Sequence, residues 1–199
     1  MTAPLRLGIM GGTFDPIHIG HLVAASEARF RFDLDRILFI PAARPWQKSG
    51  YSDPEDRFLM TSFAATGSRS FSVSRVELDR HGPTYTSETL GFLKEHHGEV
   101  ELFLILGADA AAGVPGWHQP ERVFELAELI VPNRPGAPGL TADIPHHPLE
   151  MPVIEVSSTD IRNRVRSGRP IDFLVPDGVA EHIWSRGLYV GDESEVMDA

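Results

Sequence analysis

The sequence predicts an α/β fold: an open, mostly parallel sheet with helices on both faces. Three observations predict it. Short apolar runs of strand length alternate with longer segments whose apolar residues recur three and four apart. Val100-Glu101-Leu102-Phe103-Leu104-Ile105-Leu106 is apolar almost throughout and reads as the central strand. The polar residues able to do chemistry fall just after the strands, where ligands of open α/β sheets lie.

The elements follow in order. Leu5–Met10 is a short apolar strand. Gly11-Gly12-Thr13-Phe14-Asp15-Pro16-Ile17-His18-Ile19-Gly20-His21 reads as a strand-to-helix turn, with the paired glycines making the bend and admitting a ligand to the backbone. A helix covers about 19–32, and Arg36–Ile40 is the next strand. Asp53-Pro54-Glu55 opens a helix to about Thr66, with Asp53 as cap and Pro54 in the first turn. Phe71–Glu77 alternates like a strand. Thr86 caps a helix running to His97. After the central strand come Gly107-Ala108-Asp109, the loop Gly116-Trp117-His118, and a helix from near Pro120. Glu128–Val131 and Val153–Val156 read as strands, and 133–149, rich in proline, as a mobile loop like 42–52. Ser157-Ser158-Thr159 caps a helix to about Ser167. The last helix covers about 177–186 with Gly187 at its C-cap. Residues 1–190 form one domain, and the acidic 191–199 a disordered tail.

With 199 residues and 42% hydrophobic content, the chain has ample material for a core. A net charge of −10 and a pI near 5.3 give no general attraction to nucleic acid or anionic membrane, so a phosphate site must be a local basic pocket. The absence of cysteine excludes disulfides, thiolate catalysis and Cys-type zinc sites, and agrees with a cytoplasmic protein. No apolar run approaches the roughly 20 residues that span a bilayer.

Around the first motif, a helix N-terminus offers N–H groups and the positive end of a dipole, which favour phosphate. His18 and His21, three apart, face the same way and can donate to charge developing in a reaction. Taken alone the two residues are open to three readings: phosphate contact, helix capping, or zinc binding. The motif is neither a Gly-x-x-x-x-Gly-Lys-Ser/Thr loop nor Gly-x-Gly-x-x-Gly. Ser157-Ser158-Thr159-Asp160-Ile161-Arg162 is a second such corner, either a plain N-cap or a cradle for phosphates with Arg162 as a planar cation.

Gly-Gly-Thr-Phe-Asp-Pro-x-His-x-Gly-His at 11–21, with Ser157–Arg162 far downstream, resembles the nucleotidylyltransferase superfamily. Within it the chain is most similar to the bacterial nicotinate-nucleotide adenylyltransferases, over about residues 5–190. Residues 18–21 spell the His-Ile-Gly-His signature shared with class I aminoacyl-tRNA synthetases. The resemblance implies a Rossmann-like nucleotidylyltransferase fold. It implies catalytic roles for His18, His21, Lys48 and Arg162, and ATP binding by Gly11, Gly12, Thr13, Phe14, His18, His21, Gly107, Asp109, Arg134, Ser157, Ser158, Thr159 and Arg162. Asp109 would hold a ribose hydroxyl, and Arg134 would pack near adenine or a phosphate. Asp15 would fix the loop rather than touch substrate. Acceptor contacts fall to Arg44, Lys48, Tyr85, Thr86 and Trp117, with the start of the Thr86 helix taking the nicotinate carboxylate and Trp117 stacking on the ring. Where many relatives carry Pro-Pro-His-Lys, this chain has Arg44-Pro45-Trp46-Gln47-Lys48, with Gln47 in place of the histidine.

The implied reaction transfers an adenylyl group from ATP to nicotinate mononucleotide, giving nicotinate adenine dinucleotide and pyrophosphate. Mg²⁺ would be held by phosphate and water oxygens and by no protein side chain. The implied partners are the two substrates, and a homo-oligomer is compatible with the sequence. The rivals are another phosphorylated acceptor (pantetheine phosphate, or glycerol phosphate with CTP), amino-acid activation, and a nucleotide sensor without catalysis.

Overall fold

The computed structural model of the chain describes residues 3–43, 51–133 and 144–191. Among these, six strands form one fully parallel sheet in the order β3-β2-β1-β4-β5-β6. The strands are β1 (Leu5–Gly12), β2 (Arg36–Pro41), β3 (Phe71–Val73), β4 (Val100–Ile105), β5 (Ala127–Pro132) and β6 (His147–Leu149). The helices are α1 (Ile19–Arg31), α2 (Pro54–Ala65), α3 (Thr86–His97), α4 (Ala108–Gly113), α5 (Pro120–Leu126), α6 (Ser158–Arg166) and α7 (Asp177–Arg186).

The two-residue period of the strands sorts side chains onto two faces. Phe103 and Ile105 of β4 join the core beneath α1, α2, α6 and α7. Leu102 and Leu104 join the core beneath α3, α4 and α5. Helices thus cover both faces, as the sequence predicts, and the buried strands are apolar for that reason. Strand order reverses between β1 and β4, so the crevice for a ligand lies beyond the carboxyl ends of these two strands.

Several local expectations need correction. Gly11 and Gly12 do not make the bend. They finish β1, paired with Ile40 and Pro41 of β2, and Thr13–Ile17 turn the chain instead. β3 stops at Val73 rather than Glu77, because the Ser74 hydroxyl captures the Val76 N–H at 3.2 Å and folds the chain into turns. The N-cap of α3 is Tyr85, so Thr86 is its first helical residue. An unexpected short helix, α4, follows β4, where three alanines in a row favour it. The late strand is 147–149, not 153–156. The Asn133 N–H donates to the Leu149 carbonyl at 2.8 Å, so the slot beside β5 is already filled. Pro148 is tolerated there because β6 lies at the sheet edge.

Candidate active site

The turn after β1 is built by packing. Phe14 takes a positive φ of 51°, unusual for a residue with a side chain. Its ring is buried, edge-on to Phe39 at 5.9 Å and to His21 at 5.2 Å between centroids. A Cβ on Gly12 would sit about 3.0 Å from that ring, so any other residue here would have to displace Phe14 by a few tenths of an ångström. Gly20 has the same kind of reason: its Cβ would meet the His18 imidazole at 3.1 Å. The glycine between the two histidines is what lets His18 fold back over α1.

His18 is buried and is the N-cap residue of α1. Its N–H donates to Nδ1 of His21 at 3.2 Å, and the two rings lie 3.8 Å apart at 32°. An accepting Nδ1 places the proton of neutral His21 on Nε2, the atom that serves as a donor.

The second corner meets the first. Ser157 caps α6, accepting from the Asp160 N–H at 3.1 Å. The Ser158 hydroxyl donates to the Pro16 carbonyl at 2.8 Å, and Arg162 Nη1 to the Asp15 carbonyl at 2.7 Å. Arg162 Nη2 also donates to the Thr159 hydroxyl at 3.1 Å. Two helix N-termini, those of α1 and α6, are thereby fastened to one turn, and each carries the positive end of a helix dipole.

Beside this junction lies a cavity of about 250 Å³. Gly11, Gly12 and Thr13 of the first motif line it together with Leu104, Leu106, Tyr85, Thr86, Trp117 and His118. The structure therefore brings the expected acceptor residues Tyr85, Thr86 and Trp117 to the backbone of the first motif. Gly107 and Asp109 begin α4 at the end of β4, beside Ala110, which lines the cavity. Arg44, Lys48 and Arg134, and the expected tail beyond 191, lie outside the described residues.

Sequence reading missed four contributors. Arg57, almost fully buried, donates to the Thr13, Ala42, Ala43 and Ser52 carbonyls at 2.8, 2.7, 3.1 and 3.1 Å. Burial lowers its pKa, and nearby Asp15 and Tyr189 act to raise it. Tyr189, after α7, donates to Asp15 Oδ1 at 2.6 Å, while the Ser52 N–H reaches Oδ2 at 3.3 Å. Asp15 thus fixes the turn from below. Burial first, then Asp15, raises the Tyr189 pKa. His118 stacks on Tyr85, 4.1 Å between centroids. Glu77 lines the cavity, and burial raises its pKa against opposing contacts from Thr89, Thr84 and Arg80. Glu77 and His118 carried one signal, their place in the turns and loops beyond strands; Arg57, inside α2, and Tyr189 carried none.

This fold and paired-corner site define a nucleotidyl-transferring class of protein. The model of the cytidylyltransferase-like family matches residues 9–164, and the chain belongs to that family. Among curated proteins, it is 46% identical over 198 residues to a "probable nicotinate-nucleotide adenylyltransferase" of Saccharopolyspora erythraea, covering 97% of this chain and 93% of that one. It is 49% identical to a protein of the same description from Leifsonia xyli, covering 92% and 94%. Among solved structures, the Plasmodium falciparum nicotinic acid mononucleotide adenylyltransferase complexed with NaAD matches with a TM-score of 0.74 at 20% identity, over 92% of this chain and 97% of that one. That likeness shows the shared fold. No helix among the described residues is long and apolar enough to cross a membrane.

Proposed function

We propose that the protein is a nicotinate-nucleotide adenylyltransferase of NAD biosynthesis, acting in the cytoplasm. It joins the AMP portion of ATP to nicotinate mononucleotide and releases pyrophosphate. The observation that carries this reading is the junction of two helix N-termini on the Asp15–Pro16 turn, beside a cavity edged by Tyr85, Thr86 and Trp117.

A 5′-phosphate oxygen of the acceptor attacks the α-phosphorus of ATP in line, and the bond to the β-phosphate oxygen breaks. The acceptor phosphate is already an anion at neutral pH, so no strong general base is required and no protein group becomes modified. The chain works by positioning and by stabilising charge. His18 and His21 donate to the reacting phosphates from the α1 terminus. The N–H groups at Ser158 and Thr159, with Arg162, hold the departing β- and γ-phosphates. In this reading Lys48 and Arg44 neutralise the acceptor phosphate, Asp109 holds a ribose hydroxyl, and Arg134 contacts the adenine or a phosphate. The start of α3 receives the pyridine carboxylate, and Trp117 stacks on the electron-poor ring.

Among the described residues no three His, Asp or Glu side chains gather into a cation site. Mg²⁺ enters with the triphosphate as part of the substrate, where it offsets phosphate charge.

The test is pyrophosphate release from ATP and Mg²⁺ with a panel of phosphorylated acceptors. Nicotinate mononucleotide should give the highest kcat/KM. Equal values for the nicotinamide and nicotinate forms would remove the carboxylate argument at α3. A preference for CTP or for a non-pyridine acceptor would overturn the assignment.

A further inference from the structure

The acceptor cavity contains one acidic side chain that the mechanism does not use. Glu77 lies in the turns after β3, outside the helix that edges the cavity, yet its side chain is part of the cavity wall. Its Oε1 accepts from the Thr89 hydroxyl at 3.0 Å. Thr84 lies near enough to favour the ionised carboxylate, opposing the effect of burial. These two threonines flank the start of α3. Thr84 precedes the N-cap Tyr85, and the Thr89 N–H donates to the Tyr85 carbonyl at 3.0 Å, closing the first turn. Thr84 and Thr89 line the same cavity as Thr86, and Thr89 is almost fully buried.

The first N–H groups of a helix lack partners within it, so contacts made to the first turn from outside bear on where the terminus sits. Here an acid from a separate segment holds Thr89, within the first turns of α3. We propose that Glu77 is a positioning residue for the acceptor: by holding Thr89 it fixes the start of α3 and sets the wall against which the pyridine nucleotide rests. The proposal rests on the acceptor reading given above and adds to it which side chain shapes the acceptor half of the site. Glu77 is bonded to α3, the helix that the reading above assigns to the acceptor, so its effect should be confined to one substrate.

The experiment measures initial rates of pyrophosphate release, varying ATP and nicotinate mononucleotide separately. The proteins are wild type, Glu77→Ala, Glu77→Gln, Thr89→Val and the Glu77→Ala/Thr89→Val double variant. A hydrogen bond to a charged group supports an effect of about tenfold, so Glu77→Ala and Thr89→Val should each raise the acceptor KM by about that factor. The KM for ATP should move by less than about twofold, since additive, distant sites do not couple. Glutamine keeps an oxygen that can accept from the Thr89 hydroxyl, so Glu77→Gln should recover most of the lost affinity. The double variant should be no worse than Glu77→Ala alone, because both changes break one tie.

A parallel rise in both KM values overturns the proposal, as does Glu77→Gln being as impaired as Glu77→Ala, or single effects that multiply. Should Glu77→Ala fail to fold by circular dichroism, Glu77→Gln and Thr89→Val carry the test alone. A wild type that releases pyrophosphate only with some other acceptor would refute the functional reading instead, and the same variants measured with that acceptor would still decide the role of Glu77.

Discussion

His18 is a residue whose position three neighbours determine. Gly20 leaves room for its ring, the N-cap geometry turns it back, and His21 stacks on it. None of these needs the His18 side chain for the core, so His18→Ala should keep the fold. The loss of one preorganised donor should cost at least about 2 kcal/mol of transition-state stabilisation, seen as a fall of about thirtyfold in kcat/KM. An enzyme within a few-fold of wild type would remove the role. Glu77 gives a second prediction at this scale. Its ordinary carboxyl value is 4.5, and burial raises it in the folded chain. A raised folded value means that protonation favours folding, so this contribution is fully present below the unfolded value and is lost as pH rises through the folded one. Glu77→Gln stays neutral throughout. Its melting temperature relative to wild type should therefore be more favourable at neutral pH than near 4.5, and a flat or falling difference would contradict this. The motif residues were legible because their order is distinctive. Glu77 was not, because a carboxylate in a moderate strand pattern looks the same whether it faces water or a cavity.

At the scale of elements, the site depends on how separate segments are fastened. Arg57 joins the turn after β1, the chain leaving β2 and the chain entering α2 through four carbonyls. A lysine ammonium cannot reproduce the planar fork that reaches all four. Arg57→Lys should therefore lose about 2 kcal/mol of stability, the scale of a buried acceptor or two left unpaired, with a fall in kcat/KM for both substrates. Urea unfolding and steady-state rates check the two parts, and unchanged stability would show the carbonyls satisfied by other means. Arg57 was invisible in the sequence because it sits inside the amphipathic pattern of α2, where a charged residue reads as the solvated face. The same limit explains β6. Three residues containing a proline carry too little alternation to mark a strand, and only the vacant edge of β5 selects them.

The whole molecule was legible in its larger features: alternating elements and a parallel sheet both follow from patterns of apolar spacing. What the pattern could not specify was closure across great sequence distance. Tyr189 reaches Asp15 across 174 positions, and no periodicity encodes a pairing of that kind. Removing the hydroxyl in Tyr189→Phe should cost about 1–2 kcal/mol, because the Asp15 carboxylate loses a donor in a buried setting. The loss should appear as a lower urea midpoint with an unchanged slope, together with slower turnover. A midpoint equal to wild type would show Asp15 held well enough by other donors. The long tie also bears on biosynthesis. Both corners proposed to hold phosphate fall within residues 9–164, the stretch matched by the family model, whereas Tyr189 lies beyond it. Chains emerge from the ribosome N-terminus first. A nascent polypeptide would carry both corners for some time before gaining the phenol that bonds Asp15, so the first corner would be steadied only after both had been synthesised.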